Sequence, residues 1–581
     1  MANLFKKHWA VIVLALLTSF MVVLPTLRSL SHLNDGQFKG IYPVFNADKM
    51  FYMSLTQDVY EGYWGLGNAY VFEHKNEPYI QPPLAEIILS MLVKVLNLNI
   101  PQLFFVLDFI FPAIIVMVLY FIFLGLTKSR LISAGFVLWH AIIFLPHYAM
   151  PLNPQFSFIP FFVGLYFIVN LYIQPELKNN QQILYSSLAG LMTVILVYLY
   201  PFFWTSLFVL FFFSGFFFYF FAGRDIRYLK IMIYFTVPFV IFALPYLFNL
   251  LRAIKLPYYL ETVSRYGLFN SHIPSAFYNI ATLFIVAIAL VISKRLYFQQ
   301  THWYFSLCLV FSGVILNWQN VVTGKFMQFS SHYQRTTVIF SMIIIALMLY
   351  NMLRVEGMKA RKVIVFALIL LFVLQAGWRQ YKPVAKWFAT YSSASEMSEL
   401  QEYASLFAWL NQNTAADSVV YSASGELANL MTIYTRNNSY LPYYGAVNLM
   451  SDDEVENRWL SKTIFDDRID GDYIKNADIW VNKYIDEYQN GQVRKKLFGL
   501  IGINFAARNR RVPIEVSLKF LTKYEDYKKG APQDSLNKYR LDYLIISDKE
   551  VNWREQRTAV EEYIFFRFEK KLGHFYIYRK I

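Results

Sequence analysis

Residues 31–83 read SHLNDGQFKGIYPVFNADKMFYMSLTQDVYEGYWGLGNAYVFEHKNEPYIQPP, a long polar stretch in a chain that is otherwise mostly hydrocarbon-soluble. Asp48 heads the segment Lys49, Met50, Phe51, Tyr52, whose apolar and aromatic residues suit a membrane surface. Asp58, Glu61 and the cluster Glu73-His74-Lys75 follow. Before the stretch lies the apolar run Trp9–Leu30, preceded by Lys6 and Lys7. Its apolar core is longer than the roughly 7–15 residues of a signal peptide, and no small-residue cleavage site follows. It therefore reads as a retained first membrane helix, with the polar stretch as the loop that leaves it.

The rest of the chain supports that reading. Of 581 residues, 56% are hydrophobic, 19% aromatic and 16% charged, against about 25% charged in a soluble domain. A bilayer crossing takes ~20 apolar residues. That window predicts eleven spans, near 9–30, 102–126, 131–146, 156–173, 184–199, 203–221, 231–251, 278–292, 303–316, 336–352 and 363–378. The segment 84–98 is short and interrupted by Glu86 and Lys94, which predicts an interfacial helix. The net charge of +14 does not point to nucleic acid: before residue 379 there are 24 Lys and Arg against 12 Asp and Glu, and from 379 onward 29 against 27. The excess belongs to the membrane part. Cys308 is the single cysteine, so neither a disulfide framework nor a cysteine zinc site forms within one chain.

Loop charge predicts orientation. Lys6, Lys7, Lys128, Arg130, Lys178, Arg224, Arg227, Lys230, Lys294, Arg295 and Arg354 to Lys362 fall on one side, which the positive-inside rule makes cytoplasmic. The 31–83 loop and the C-terminus are then expected outside a plasma membrane that the chain crosses many times. After Arg379 the composition becomes that of a soluble domain. An amphipathic helix is predicted over 398–412, buried strands over 418–422 and 541–546, and a hairpin closing around 571–573, with 452–529 mostly helical. The expected organisation is a first span (1–30), a large outer loop with interfacial helices (31–100), a helical bundle (101–378) and an extracytoplasmic α/β domain (379–581).

Within this frame the chemistry-bearing residues are few. Asp48 lies between the apolar 41–45 and the aromatic Phe51-Tyr52, a setting of restricted water that suits a general base; capping of the following helix is the bland alternative. Arg265, Lys325, His332 and Arg335 lie in loops on the side where cations are disfavoured, as residues that bind a phosphate would; lipid headgroups or acids of the C-terminal domain are the other partners they suit. Glu73 and His74 are candidates for substrate or metal binding, although two adjacent ligands make no site alone. His140 and His147 read as core or interfacial groups, and Phe211–Phe213 with Phe216–Phe218 as packing. No P-loop, GxSxG or HExxH motif is present.

One helix, a long outer loop with an early Asp, many spans and a terminal α/β domain resemble the GT-C polytopic glycosyltransferases, in particular the protein mannosyltransferase and aminoarabinose transferase branch. The residues that carry the resemblance are NADKMFY (46–52) and TGKFMQFSSHYQR (323–335). Family members often have Asp-Glu where this chain has Asp48-Lys49, and the WWDYG signature of oligosaccharyltransferases is absent. The resemblance implies inverting transfer of a sugar from a polyprenyl-phosphate-linked donor to a lipid, glycan or protein acceptor on the outer face. Asp48 would be the base, and the loop cations would face the donor phosphate. It implies no certain cofactor and leaves a divalent metal open. The rival classes are a transporter or flippase of lipid-linked substrates and a non-catalytic assembly protein. Transporters place ionisable groups near the bilayer midplane and often show inverted repeats. Here the span interiors are nearly free of charge and no repeat is visible.

Overall fold

The computed structural model describes residues 2–581 except 151, 175, 275, 295–298, 327–331, 355–358, 442–444, 465–468, 530–535 and 563–564. The chain opens with α1 (Ala2–Leu30), followed by the loop helices α2 (Ala47–Tyr60) and α3 (Leu84–Leu96). The bundle is then built from α4 (Ile100–Thr127), α5 (Arg130–Tyr148), α6 (Gln155–Ile173), α7 (Asn179–Val197), α8 (Pro201–Phe221) and α9 (Arg227–Ile254). After the short α10 (Tyr259–Arg265) come α11 (Phe277–Lys294), α12 (Gln300–Thr323), α13 (Tyr333–Arg354) and α14 (Lys359–Ala389).

Among the described residues ten helices are long and apolar enough to cross a membrane, which makes this a polytopic helical membrane protein. Of the eleven expected spans, the eighth, 278–292, falls in α11, whose apolar part, Phe277–Ser293, is shorter than the ten. At ~1.5 Å per residue it reaches about 26 Å, somewhat under the ~30 Å hydrocarbon core. The 84–98 segment forms α3, with Met91, Val95 and Leu96 exposed.

Helix ends follow local chemistry. Asn99 and Gln102 form a capping box at the start of α4, with Pro101 in its first turn. Backbone approach within the bundle depends on small residues: a Cβ on Gly190 of α7 would run into the Phe235 carbonyl of α9. Helix α14 does not stop near Trp378 but runs to Ala389 as one rod leading into the C-terminal domain.

Two short strands, β1 (Phe269–Asn270) and β2 (Lys325–Phe326), form an antiparallel ladder between loops of the bundle. The C-terminal domain opens on α15 (Ala394–Asn413), capped by a Ser393–Glu396 box. Its five-stranded sheet takes β3 (Val419–Ser422), β4 (Asn438–Ser439), β5 (Tyr543–Ser547), β6 (Phe566–Leu572) and β7 (Phe575–Lys580) in the order β4-β3-β5-β7-β6. The β4-β3-β5 part is parallel and β5-β7-β6 antiparallel. Strands β3 and β5 are buried along their whole length, which is why both read as unbroken apolar runs.

The loop 31–83 is the seam between bundle and domain. The Gln401 amide of α15 accepts from Lys39 N (2.8 Å) and donates to the Ile41 carbonyl (2.8 Å). Lys75 sits between Asp58 (2.9 Å) and Asp417 (2.8 Å). From α2, Ser54 shares a 2.8 Å hydrogen bond with Thr432 of the domain helix α16 (Gly425–Tyr434).

Candidate functional site

Helix α2 starts where Asn46, not Asp48, caps it: the Asn46 side chain accepts from the Asp48 backbone N–H (2.8 Å). The Asp48 carboxylate stands in the first turn, near the positive end of the helix dipole. Lys49, one residue on and about 100° around the helix, points elsewhere, into a buried ion pair with Asp108 of α4. Four residues on, Tyr52 shares Asp48's face, and its hydroxyl accepts from Asn153 Nδ2 (3.0 Å) in the loop between α5 and α6. Burial lifts the Tyr52 phenol above its ordinary value; Asn153 opposes this, and the negative charges of Asp48 and Glu86 add to it.

The second half of the site comes from the ends of α8 and α13. Tyr200, 5% exposed, precedes α8. Its hydroxyl meets His332 Nδ1 at 2.7 Å and takes a hydrogen bond from the Arg335 guanidinium. His332 also packs edge-on against Phe202, ring centroids 4.6 Å apart. Arg335, 7% exposed, lies in the first turn of α13. Burial pushes the Tyr200 phenol up to about 12 while Arg335 pulls it down, and the charge of Asp48 reaches it too. Burial pushes the His332 imidazole down to about 3, reinforced by Arg335 and His147, so at neutral pH it brings a polar ring and no charge. Asp48, Tyr52, Asn153, Tyr200, His332 and Arg335 therefore form one cluster at the loop end of the bundle.

The remaining candidates lie elsewhere. Glu73 binds Arg458 (2.7 Å), and His74 bridges Glu77 and Glu454 at 2.8 Å each, so both tie the loop to the C-terminal domain. Burial lowers the His74 pKa, but its hydrogen bonds to Glu454 and Glu77 outweigh this and raise it to about 9. Arg265 is fully buried: it pairs with Asp452, and its Nη2 donates to Thr262 Oγ1 at 3.1 Å. Lys325 is exposed and donates to Asn270 (2.8 Å) across the β1–β2 ladder. Gly324 before it has φ +68°, and a Cβ there would strike the His272 ring. Residues 327–331 of the TGKFMQFSSHYQR stretch lie outside the described residues.

Two contributors had only faint signals in the sequence. Tyr200 sits in a short aromatic turn that holds no charge. Glu86 was legible as a carboxyl inside an apolar segment, but its use was not. It is 1% exposed, neither oxygen has a hydrogen-bond partner among the described residues, and burial lifts it to about 8. Beside the start of α2, a cavity of about 580 Å³ opens between Pro43, Phe45 and Met50 and the domain residues Glu399, Tyr403 and Glu426. Among the described residues no three His, Cys, Asp or Glu side chains gather as a metal-binding group. Comparison with protein-family models and with curated proteins finds no match.

Proposed function

We propose that this chain is an integral-membrane glycosyltransferase of the GT-C type, using a polyprenyl-phosphate-linked sugar on the outer membrane face. The observation that carries the reading is the buried Arg335–Tyr200–His332 group, whose Tyr200 feels the charge of Asp48, at the bundle end that the C-terminal domain adjoins. A carboxylate whose charge reaches the group that holds a fixed, buried cation suits transfer to a hydroxyl or amine. The acceptor atom bonds to the anomeric carbon while the bond from that carbon to the phosphate oxygen breaks. The acceptor proton passes to Asp48. The electron pair leaves on the phosphate, which Arg335 stabilises as its charge develops. Tyr200 accepts from the guanidinium and His332 meets the same hydroxyl, which holds Arg335 in place.

A transporter would need ionisable groups that change partners within the spans. Asp108, in the first part of the α4 span, is committed to Lys49.

The test uses the full-length protein in lipid nanodiscs. Mass spectrometry of the lipids retained on purification first identifies the donor; the wild type should then release free polyprenyl phosphate only when the sugar-bearing form is supplied. Asp48→Asn should insert and bind donor normally, with release reduced by about 10²–10⁴-fold. Near wild-type release from Asp48→Asn ends Asp48's role, and absence of sugar-dependent release from the wild type ends the enzyme reading.

A further inference from the structure

At the end of the bundle away from Asp48, a cavity of about 880 Å³ lies between the start of α1, the end of α4 and the end of α6. Three cations line it, Lys7, Lys128 and Arg130, and no Asp or Glu does. Among the described residues none of the three has an ion-pair partner. Amide side chains complete the polar rim. Asn170 donates to the Tyr166 carbonyl (2.7 Å), and Gln174 hydrogen-bonds to Asn170 Oδ1. Deeper along the spans the wall turns apolar with Val118, Leu124 and Val163, and Phe121 is 42% exposed on the outer surface of α4. The cavity thus has a cationic mouth at the ends of the spans and an apolar wall that runs inward along them.

We propose that this cavity is a binding site for an anionic glycerophospholipid, with Lys7, Lys128 and Arg130 on the headgroup phosphate and the acyl chains against Phe121 and Leu124. Charge complementarity selects the occupant: three cations without a counter-ion match a phosphate that keeps a net negative charge, and basic pockets between spans are a recurrent setting for such headgroups. A zwitterionic headgroup would bring a second cation into a rim that has no carboxylate to receive it. A soluble anion would leave the apolar wall unused. The site stands independently of the reaction proposed above.

The experiment takes full-length protein, delipidated in a neutral detergent, and adds phosphatidylglycerol, phosphatidylcholine or inorganic phosphate, with bound lipid read by native mass spectrometry. Phosphatidylglycerol should be retained and phosphatidylcholine should not. The combined variant Lys7→Gln, Lys128→Gln, Arg130→Gln should weaken retention by roughly ten- to hundredfold, on the scale of about one decade or less per headgroup cation. A matched variant, Lys178→Gln, Arg224→Gln, Lys230→Gln, loses the same charge outside the cavity lining and should retain phosphatidylglycerol as the wild type does. Gly125 also lines the cavity, and a Cβ there meets nothing within 4 Å; Gly125→Leu fills the space without changing charge and should exclude the lipid too. Equal retention of phosphatidylcholine, unchanged affinity in both cavity variants, or displacement of the lipid by inorganic phosphate alone would overturn the proposal.

Discussion

Arg335 is the residue on which the reading of the site turns, because it is a buried cation that, among the described residues, donates a hydrogen bond to a neutral phenol, Tyr200. Losing a hydrogen bond to a charged group costs about 1.5–3 kcal/mol, or roughly ten- to hundredfold in affinity. Arg335→Ala is expected to weaken donor binding by that factor, measured by titration of the polyprenyl-phosphate sugar, while Lys325→Ala leaves it unchanged. Glu86 permits a pH test. Its folded pKa of about 8 is raised above the ordinary 4.5 by burial. The stability it confers is therefore complete below about 4.5 and is lost as pH climbs through about 8. Glu86→Gln stays neutral throughout. Melting temperatures of variant and wild type should nearly agree at about pH 5 and separate by about pH 9, the variant being the more stable. A pH-independent difference would show that the carboxyl does not titrate where its burial puts it. Asp48 and Arg335 were legible as single residues. That the charge of Asp48 reaches the Tyr200 to which Arg335 donates was not, since 287 positions separate Asp48 from Arg335 and only the fold relates them.

At the scale of elements, α2 is the part that positions the chemistry, and it is held from two sides. Lys49 anchors it to Asp108 in α4, and Ser54 anchors it to Thr432 in α16. Removing one partner of a buried ion pair leaves an uncompensated charge, at a cost of about 3–5 kcal/mol. Lys49→Met should therefore lower the melting temperature sharply, and adding Asp108→Leu should recover most of the loss. A double variant no better than Lys49→Met would mean that the pair is not what secures the helix. The helix itself was visible in its aromatic run, yet the identity of its cap was not. Asn46 and Asp48 are both favoured N-caps, and which of them takes the position depends on the turn that delivers the chain from residue 45.

At the scale of the whole molecule, the candidates Glu73, His74 and Arg265 act as stitches between the loops and the C-terminal domain. Orientation is the open expectation here. Reporter fusions after Arg130 and Arg227 should report the cytoplasm, and fusions after Thr390, beyond the end of α14, the exterior. A cytoplasmic signal after Thr390 would overturn both the orientation and the proposed outer-face chemistry. The cationic residues that open α5 and α9 carry this expectation, because the positive-inside bias acts on short loops near span ends.

What the sequence by itself determined is everything the bilayer reads residue by residue: the apolar runs that become spans, the polar loop 31–83 that cannot be one, and the soluble composition after residue 379. Hydrocarbon is a nearly uniform solvent, so composition over ~20 residues suffices to show where the chain crosses it. The tertiary structure alone decided where the candidate loop residues go. His332 and Arg335 reach the cluster because α13 begins beside Tyr200, whereas Arg265 turns to Asp452 and Lys325 to Asn270. An ionised side chain takes whichever compensating partner the fold brings within a few ångströms, and that partner is set by packing between distant segments, which no local pattern records.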